Sequence, residues 1–133
     1  MSQENVEIVR RVYEGWSRGD FSQTEHFDPE IEFELIDWPH PARSRGVEAM
    51  AEIWLATLSA WDDFRAKPDE VIDHGNNVLV LNSISGRGRG SGADVSALTA
   101  TVWTVEGGKV VRLALYWDVD RARQAAEGGP WPS

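Results

Sequence analysis

Cysteine is absent from this 133-residue chain, which removes disulfides and thiolate metal sites and leaves the redox compartment open. Basic residues are scarce, 13 against 22 acidic ones, for a formal net charge of −9. Such a surface repels nucleic acid and anionic membranes, so neither is expected as a partner. The pair Arg87 and Arg89 sits among glycines and does not make a basic face. No apolar run approaches the roughly 18 residues of a membrane span, and the start MSQENVEIVRR has no apolar stretch after a basic one. These absences lead to the expectation of a soluble cytoplasmic protein. The three histidines, His26, His40 and His74, lack the close spacing of a metal motif, so no metal and no cofactor is expected.

What the chain has in excess is tryptophan, seven residues spread over helix-like, loop-like and strand-like segments. Indole offers a large apolar area with an N–H that wants an acceptor, so some of these rings are candidates for a pocket or an interface while others fill the core. The length allows one domain with one core. That domain is expected over residues 3–127, with a tail at 128–133.

Val6, Val9, Val12, Tyr13 and Trp16 recur at helical spacing, predicting a first helix that stops near Arg18-Gly19. Asp20 and Gln23 read as a capping box that restarts a short second helix to about Phe27. From Glu30 the period changes to two, with Ile31, Phe33 and Leu35 on one face, Glu32 and Glu34 on the other, and Asp37 in phase with the apolar set. Pro39 and Pro41 make residues 38–45 a loop. Val47, Met50, Ile53, Trp54, Leu58 and Trp61 then form a third helical stripe. Four strand-like segments follow, Phe64 to Asp73, Val78 to about Arg87, Val95 to Val105 and Lys109 to Trp117. Asp120 is placed to cap a last helix from Arg121 to Glu127, which Gly128-Gly129-Pro130 should end. The glycines at 86, 88, 90 and 92 precede no helix, so they read as a hairpin and not as a phosphate loop.

This order is an α+β layout. The segments VYEGWSRGDF, DPEIEF, GVEAM, GRGRGSG and WTVEGGKVVRLALYWDVDRA resemble the SnoaL-like family of the NTF2-like (nuclear transport factor 2-like) superfamily over nearly the whole chain. The resemblance implies a cone, three amino-terminal helices packed on a strongly curved, mainly antiparallel sheet, with an apolar pocket on the concave side. It also implies a homodimer through the outer sheet face. Strand parity then puts Leu98, Ala100, Val102, Leu113, Leu115 and Trp117 inside and Thr101 and Trp103 on the outer, dimer-forming face. The expected pocket lining is Trp16, Ile53, Trp54, Leu98, Val102, Leu113 and Trp117, which suits a small flat apolar molecule, polycyclic or polyketide-like.

Function is left open between two classes, since this superfamily holds cyclases, isomerases, dehydratases and proteins without chemistry. In the enzymatic reading, cofactor-independent acid/base chemistry uses Asp37, at the end of the first strand as in ketosteroid isomerases, to move a proton. Asp118, resembling the carboxylate of the SnoaL cyclases, or His40, between two prolines, returns it. Parity turns Asp118 away from Trp117 unless the strand has ended, and Leu35 is an alternative for the Asp37 position. Val12 and Ala100 stand where the resemblance would put an isomerase's two oxyanion donors, which argues against a ketosteroid isomerase. In the competing reading the same hollow only binds, and Asp37, Asp118 and His40 are structural.

Overall fold

A computed structural model describes residues 2–22, 24–38 and 41–127. His40, Gln23 of the expected capping box and the tail at 128–133 lie outside the described residues. The elements run α1 (Ser2–Ser17), β1 (Phe27–Leu35), β2 (Ala42–Arg45), α2 (Val47–Leu58), β3 (Trp61–His74), β4 (Asn77–Gly88), β5 (Asp94–Glu106), β6 (Lys109–Tyr116) and α3 (Val119–Glu127). The strands form one curved six-stranded sheet in the order β2-β1-β6-β5-β4-β3, antiparallel except where β1 runs parallel to β6.

The first helix ends where the glycine predicts. Gly19 takes φ 83°, and the chain closes with Gly19 N–H donating to Trp16 C=O and Asp20 N–H to Gly15 C=O, the paired bonds of a Schellman stop. The expected second helix is not formed. Asp20 instead accepts the backbone N–H and the hydroxyl of Ser22. Phe27 already pairs with Val110 in the sheet. A segment this short pays helix nucleation for few bonds, and the ladder to β6 offers it more. Two helices therefore precede the long hairpins, and the third, α3, follows them.

Part of the expected loop is also a strand. Residues 42–45 form β2 and pair with β1, where Arg45 bonds Glu32 at 2.9 Å and Arg43 lies 3.9 Å from Glu34. The α2 stripe stops at Leu58, and Trp61 begins β3 opposite Gly88. A Cβ on Gly86 would stand 3.1 Å from the Trp61 ring, so the bare backbone there makes room for the indole.

The sheet buries both faces, and this corrects the parity assigned to β5. One core, on the α1 and α2 side, contains Val9, Tyr13 and Trp16 with Phe33, Leu35, Val78, Val80, Trp103, Leu113 and Leu115. A second, under α3, contains Leu79, Ala100, Val102, Ala114 and Tyr116 with Ala122 and Ala126. Trp103, expected outside, is 0% exposed and packs on Tyr13 and Trp16 with ring centroids 5.6 and 5.3 Å away. Val102, expected in the pocket, lies under α3, and Leu98 is 69% exposed. Apolar alternation identifies the core face only when the other face is wet. In β5 the apolar set faces α3, and Thr99 and Thr101 share the Trp103 side with Tyr13 and Asn82.

Candidate functional site

An apolar open volume lies at the mouth of the cone, where the ends of β1, β6 and α2 meet the start of β3 and the base of the β4–β5 hairpin; a larger hollow of about 490 Å³ nearby has a polar wall that includes Asp63, Arg65, Arg87 and Asp94. The apolar volume is a cleft of about 310 Å³ walled by Trp38, Trp61 and Trp117. Ala56, Thr57 and Ala60 close one side from the α2 end, and Leu35, Gly88 and Val95 complete it. None of these described lining residues is titratable.

Behind the mouth the cone is nearly filled by rings in contact with one another. Trp117 meets Trp38 at 5.2 Å, Trp38 meets Trp54 at 6.2 Å, Trp54 meets Trp16 at 5.8 Å, and Trp16 meets Trp103 at 5.3 Å. Two small voids remain, of about 10 and 30 Å³. The first has Tyr13, Trp16, Trp38, Trp54, Asn82 and Thr101 in its wall, and the second has Trp16, Trp54 and Leu113. Of the seven expected pocket residues, then, Trp117 reaches the mouth cleft. Trp16, Trp54 and Leu113 border small interior voids, and Ile53 packs half-buried against the core. The Leu98 and Val102 assignments are corrected as above, because β5 turns them to the α3 side or to solvent.

Asp37 does not join the cleft wall. Its two carboxylate oxygens accept the backbone N–H groups of Trp117 (2.6 Å) and Asp118 (2.9 Å), tying the end of β1 to the β6–α3 junction. That clamp seats Trp117 beside Trp38. Asp118, past the end of β6 and exposed, accepts the Arg121 N–H at 3.2 Å and so caps α3, the role expected of Asp120. Its side chain is freed from strand parity because β6 ends at Tyr116. His26 is half-buried and His74 exposed. Among the described residues no group of three His, Cys, Asp or Glu side chains is placed to hold a metal ion.

The polar centre of the interior is one that sequence reasoning passed over. Tyr13 is buried, its hydroxyl donating to the Asn82 carboxamide oxygen and lying 2.8 Å from Thr101 Oγ1, which in turn accepts Trp103 Nε1–H at 2.7 Å. Burial pushes the Tyr13 phenol well above its ordinary value, against the opposing pull of its hydrogen bonds to Thr101, Trp103 and Asn82. Tyr116, under α3, is also raised, by burial first and then by Glu34 and Asp37. The inward positions are Tyr13 and Thr101, one residue along from the Val12 and Ala100 that the resemblance suggested. The signal was available in β4, where Asn82 keeps phase with Val78, Val80 and Ile84. A polar side chain in an otherwise apolar inward series needs partners.

The sequence profile described as the SnoaL-like domain matches residues 9–113. Among curated proteins nothing matches. Solved structures of the same fold are many. One, a SnoaL-like protein from Jannaschia sp. CCS1 described as a candidate polyketide cyclase, has TM-score 0.77 and 18% identity, over 97% of this chain and 95% of its own. An NTF2-like protein from Burkholderia thailandensis E264 has TM-score 0.75 and 25% identity, over 94% and 97%. A candidate polyketide cyclase from Sinorhizobium meliloti is 28% identical with TM-score 0.66, over 86% and 98%. With the helices, the curved sheet and the profile in agreement, the chain belongs to the SnoaL-like domain family of the NTF2-like superfamily.

Proposed function

We propose that this protein binds a small, flat, apolar molecule in the mouth cleft. The observation that carries this reading is the cleft itself, about 310 Å³ walled by three indoles. That volume stands at the lower end of the range for small-molecule sites, which favours a ligand of two or three fused rings. The polyketide cyclase descriptions of two relatives point to the same chemical class.

Binding without chemistry is favoured over acid/base catalysis by what the carboxylates are doing. Asp37 spends both oxygens on backbone N–H groups and Asp118 spends one on its helix. Protonating Asp37 would neutralise the acceptor of two N–H groups at the joint that holds Trp117 and weaken both bonds. A hydrogen bond to a charged partner is worth about 1.5–3 kcal/mol, a cost that proton transfer would have to offset.

Calorimetric titration with tetralin, a bicyclic hydrocarbon, tests the reading. Saturable binding that Trp61→Ala and Trp117→Ala each weaken by about tenfold is expected, since truncating a ring in a binding site removes on the order of 1–2 kcal/mol of burial. Absence of saturable binding, or binding indifferent to both substitutions, overturns it.

A further inference from the structure

The glycine-rich β4–β5 hairpin supplies one wall of the mouth cleft, through Gly88 and Val95, and Ala60 and Trp61 supply the wall that joins it. The outer end of that hairpin is thinly attached. The ladder between β5 and β6 starts at Ala100, so residues 94–99 pair with β4 and not with β6. On the other side β4 meets β3 at Gly88 and Arg87, opposite Trp61 and Asp62, and the register then breaks until Ser85 pairs with Arg65. Among the described residues, the tip at 89–93 hydrogen-bonds outside the hairpin through Arg89 alone. Its backbone N–H donates to Ala60 C=O at 2.9 Å, its Nε–H to Asp62 Oδ1 at 3.2 Å and its Nη2–H to Trp61 C=O at 3.4 Å.

Those three acceptors are consecutive residues centred on Trp61. The hairpin therefore holds this tryptophan twice, its ring against the bare backbone of Gly86 and its main chain through Arg89. The ion pair in the joint is exposed, 61% for the Arg89 side chain and 50% for that of Asp62. Dissolved salt screens a pair in that position, where it would barely touch a buried one. A ligand in the cleft touches Gly88 and Val95 on the hairpin and Trp61 beyond the joint, so it favours the joined arrangement and is favoured by it.

We propose that Arg89 is a positioning residue of the mouth cleft, a latch that joins the β4–β5 hairpin to Trp61, and that the ligand leaves when this latch opens, so that ionic strength sets the rate of release of an uncharged molecule. The proposal adds a control to the binding reading above and rests on it. Arg89 itself does not line the cleft; it acts through Trp61 and Gly88, which do.

The test follows tetralin release by stopped-flow tryptophan fluorescence at about 0.05 M and about 1 M sodium chloride. Release from the native protein should quicken about twofold to fivefold with salt, the range that exposed ion pairs span. Arg89→Ala should release tetralin at least as fast as the native protein does at high salt, with no such acceleration of its own, since salting-out of the hydrocarbon acts on both proteins alike. Arg89→Lys, which keeps the charge, should keep the salt response, and Asp62→Asn, which removes it from the other side, should lose it even if Arg89→Ala fails to fold. The urea midpoint of Arg89→Ala should stay native-like. Hydrogen exchange reads the joint without a ligand: protection of the backbone N–H at position 89, bonded to Ala60 C=O, should fall in Arg89→Ala and, in the native protein, at high salt. Equal salt responses in the native protein and Arg89→Ala, or unchanged protection at position 89, overturn the latch. If tetralin binding still depends on Trp61 and Trp117 in that case, the mouth-cleft reading stands alone. If tetralin binds neither the native protein nor Arg89→Ala, the cleft reading falls and the latch with it.

Discussion

Replacing Tyr13 by Phe keeps the ring between Trp16 and Trp103 and deletes the hydroxyl that joins Asn82 to Thr101. The Asn82 oxygen then loses its donor in a buried site, so the loss is set by leaving a buried group unpaired, about 1–3 kcal/mol at neutral pH. For a domain of this length each kcal/mol moves Tm by about 3–5 °C. The second consequence is in the pH profile. The Tyr13 phenol is raised above its ordinary 10.0 in the folded state, so its contribution is complete below pH 10 and is lost as pH rises from there toward the folded value. Over that window the unfolded chain has released the proton and the native one has not, which costs about 1.4 kcal/mol per pH unit. Tyr116 titrates in the same sense and remains in the variant. The native protein should thus lose stability with a slope steeper by one proton than Tyr13→Phe. The two curves should converge about one to two pH units above the ordinary phenol value. Urea denaturation followed by tryptophan fluorescence between pH 7 and about pH 12 measures both quantities. A stability gap that stays constant across that range would refute the buried, neutral phenol, and no gap at pH 7 would refute the network.

Asp37→Asn keeps one acceptor for two N–H groups and should cost about 1–3 kcal/mol in urea denaturation. It should also weaken tetralin binding by loosening Trp117, since that residue's backbone N–H is one of the two held. Asp118→Ala should cost about 0.5–2 kcal/mol, the price of an N-cap, and leave tetralin affinity unchanged; a loss of binding without a loss of stability would contradict the capping role. The β5 parity is tested by a pair of substitutions measured by thermal melting. Trp103→Ala should cost about 3–5 kcal/mol or prevent folding, and Leu98→Ala should stay within about 0.5 kcal/mol.

The first helix and its stop, the β1 alternation, the α2 stripe and the four long strands were all legible, because each rests on local spacing or on glycine. The Ile31, Phe33, Leu35 series faces the core as its period demands. The turn at Gly107-Gly108 joins β5 to β6 with both glycines at positive φ. Short elements were where reading failed. Whether residues 20–27 coil into a helix or extend toward β6, and whether 42–45 is loop or strand, depends on a partner strand far away in sequence.

What the residues alone determined is the family and the α+β architecture, since apolar period and turn chemistry are local and survive without neighbours. What only the assembled molecule decided is which side of β5 faces the concave core, because α1 and α2 cover one face and α3 the other, so the more polar face of β5, with Thr99 and Thr101, is buried too and does not mark the solvent side. The same holds for the site. In the sequence Asp37 is a candidate base at a strand end, and its bonds to two backbone N–H groups became visible only in the fold, because those groups come from residues 80 and 81 positions away.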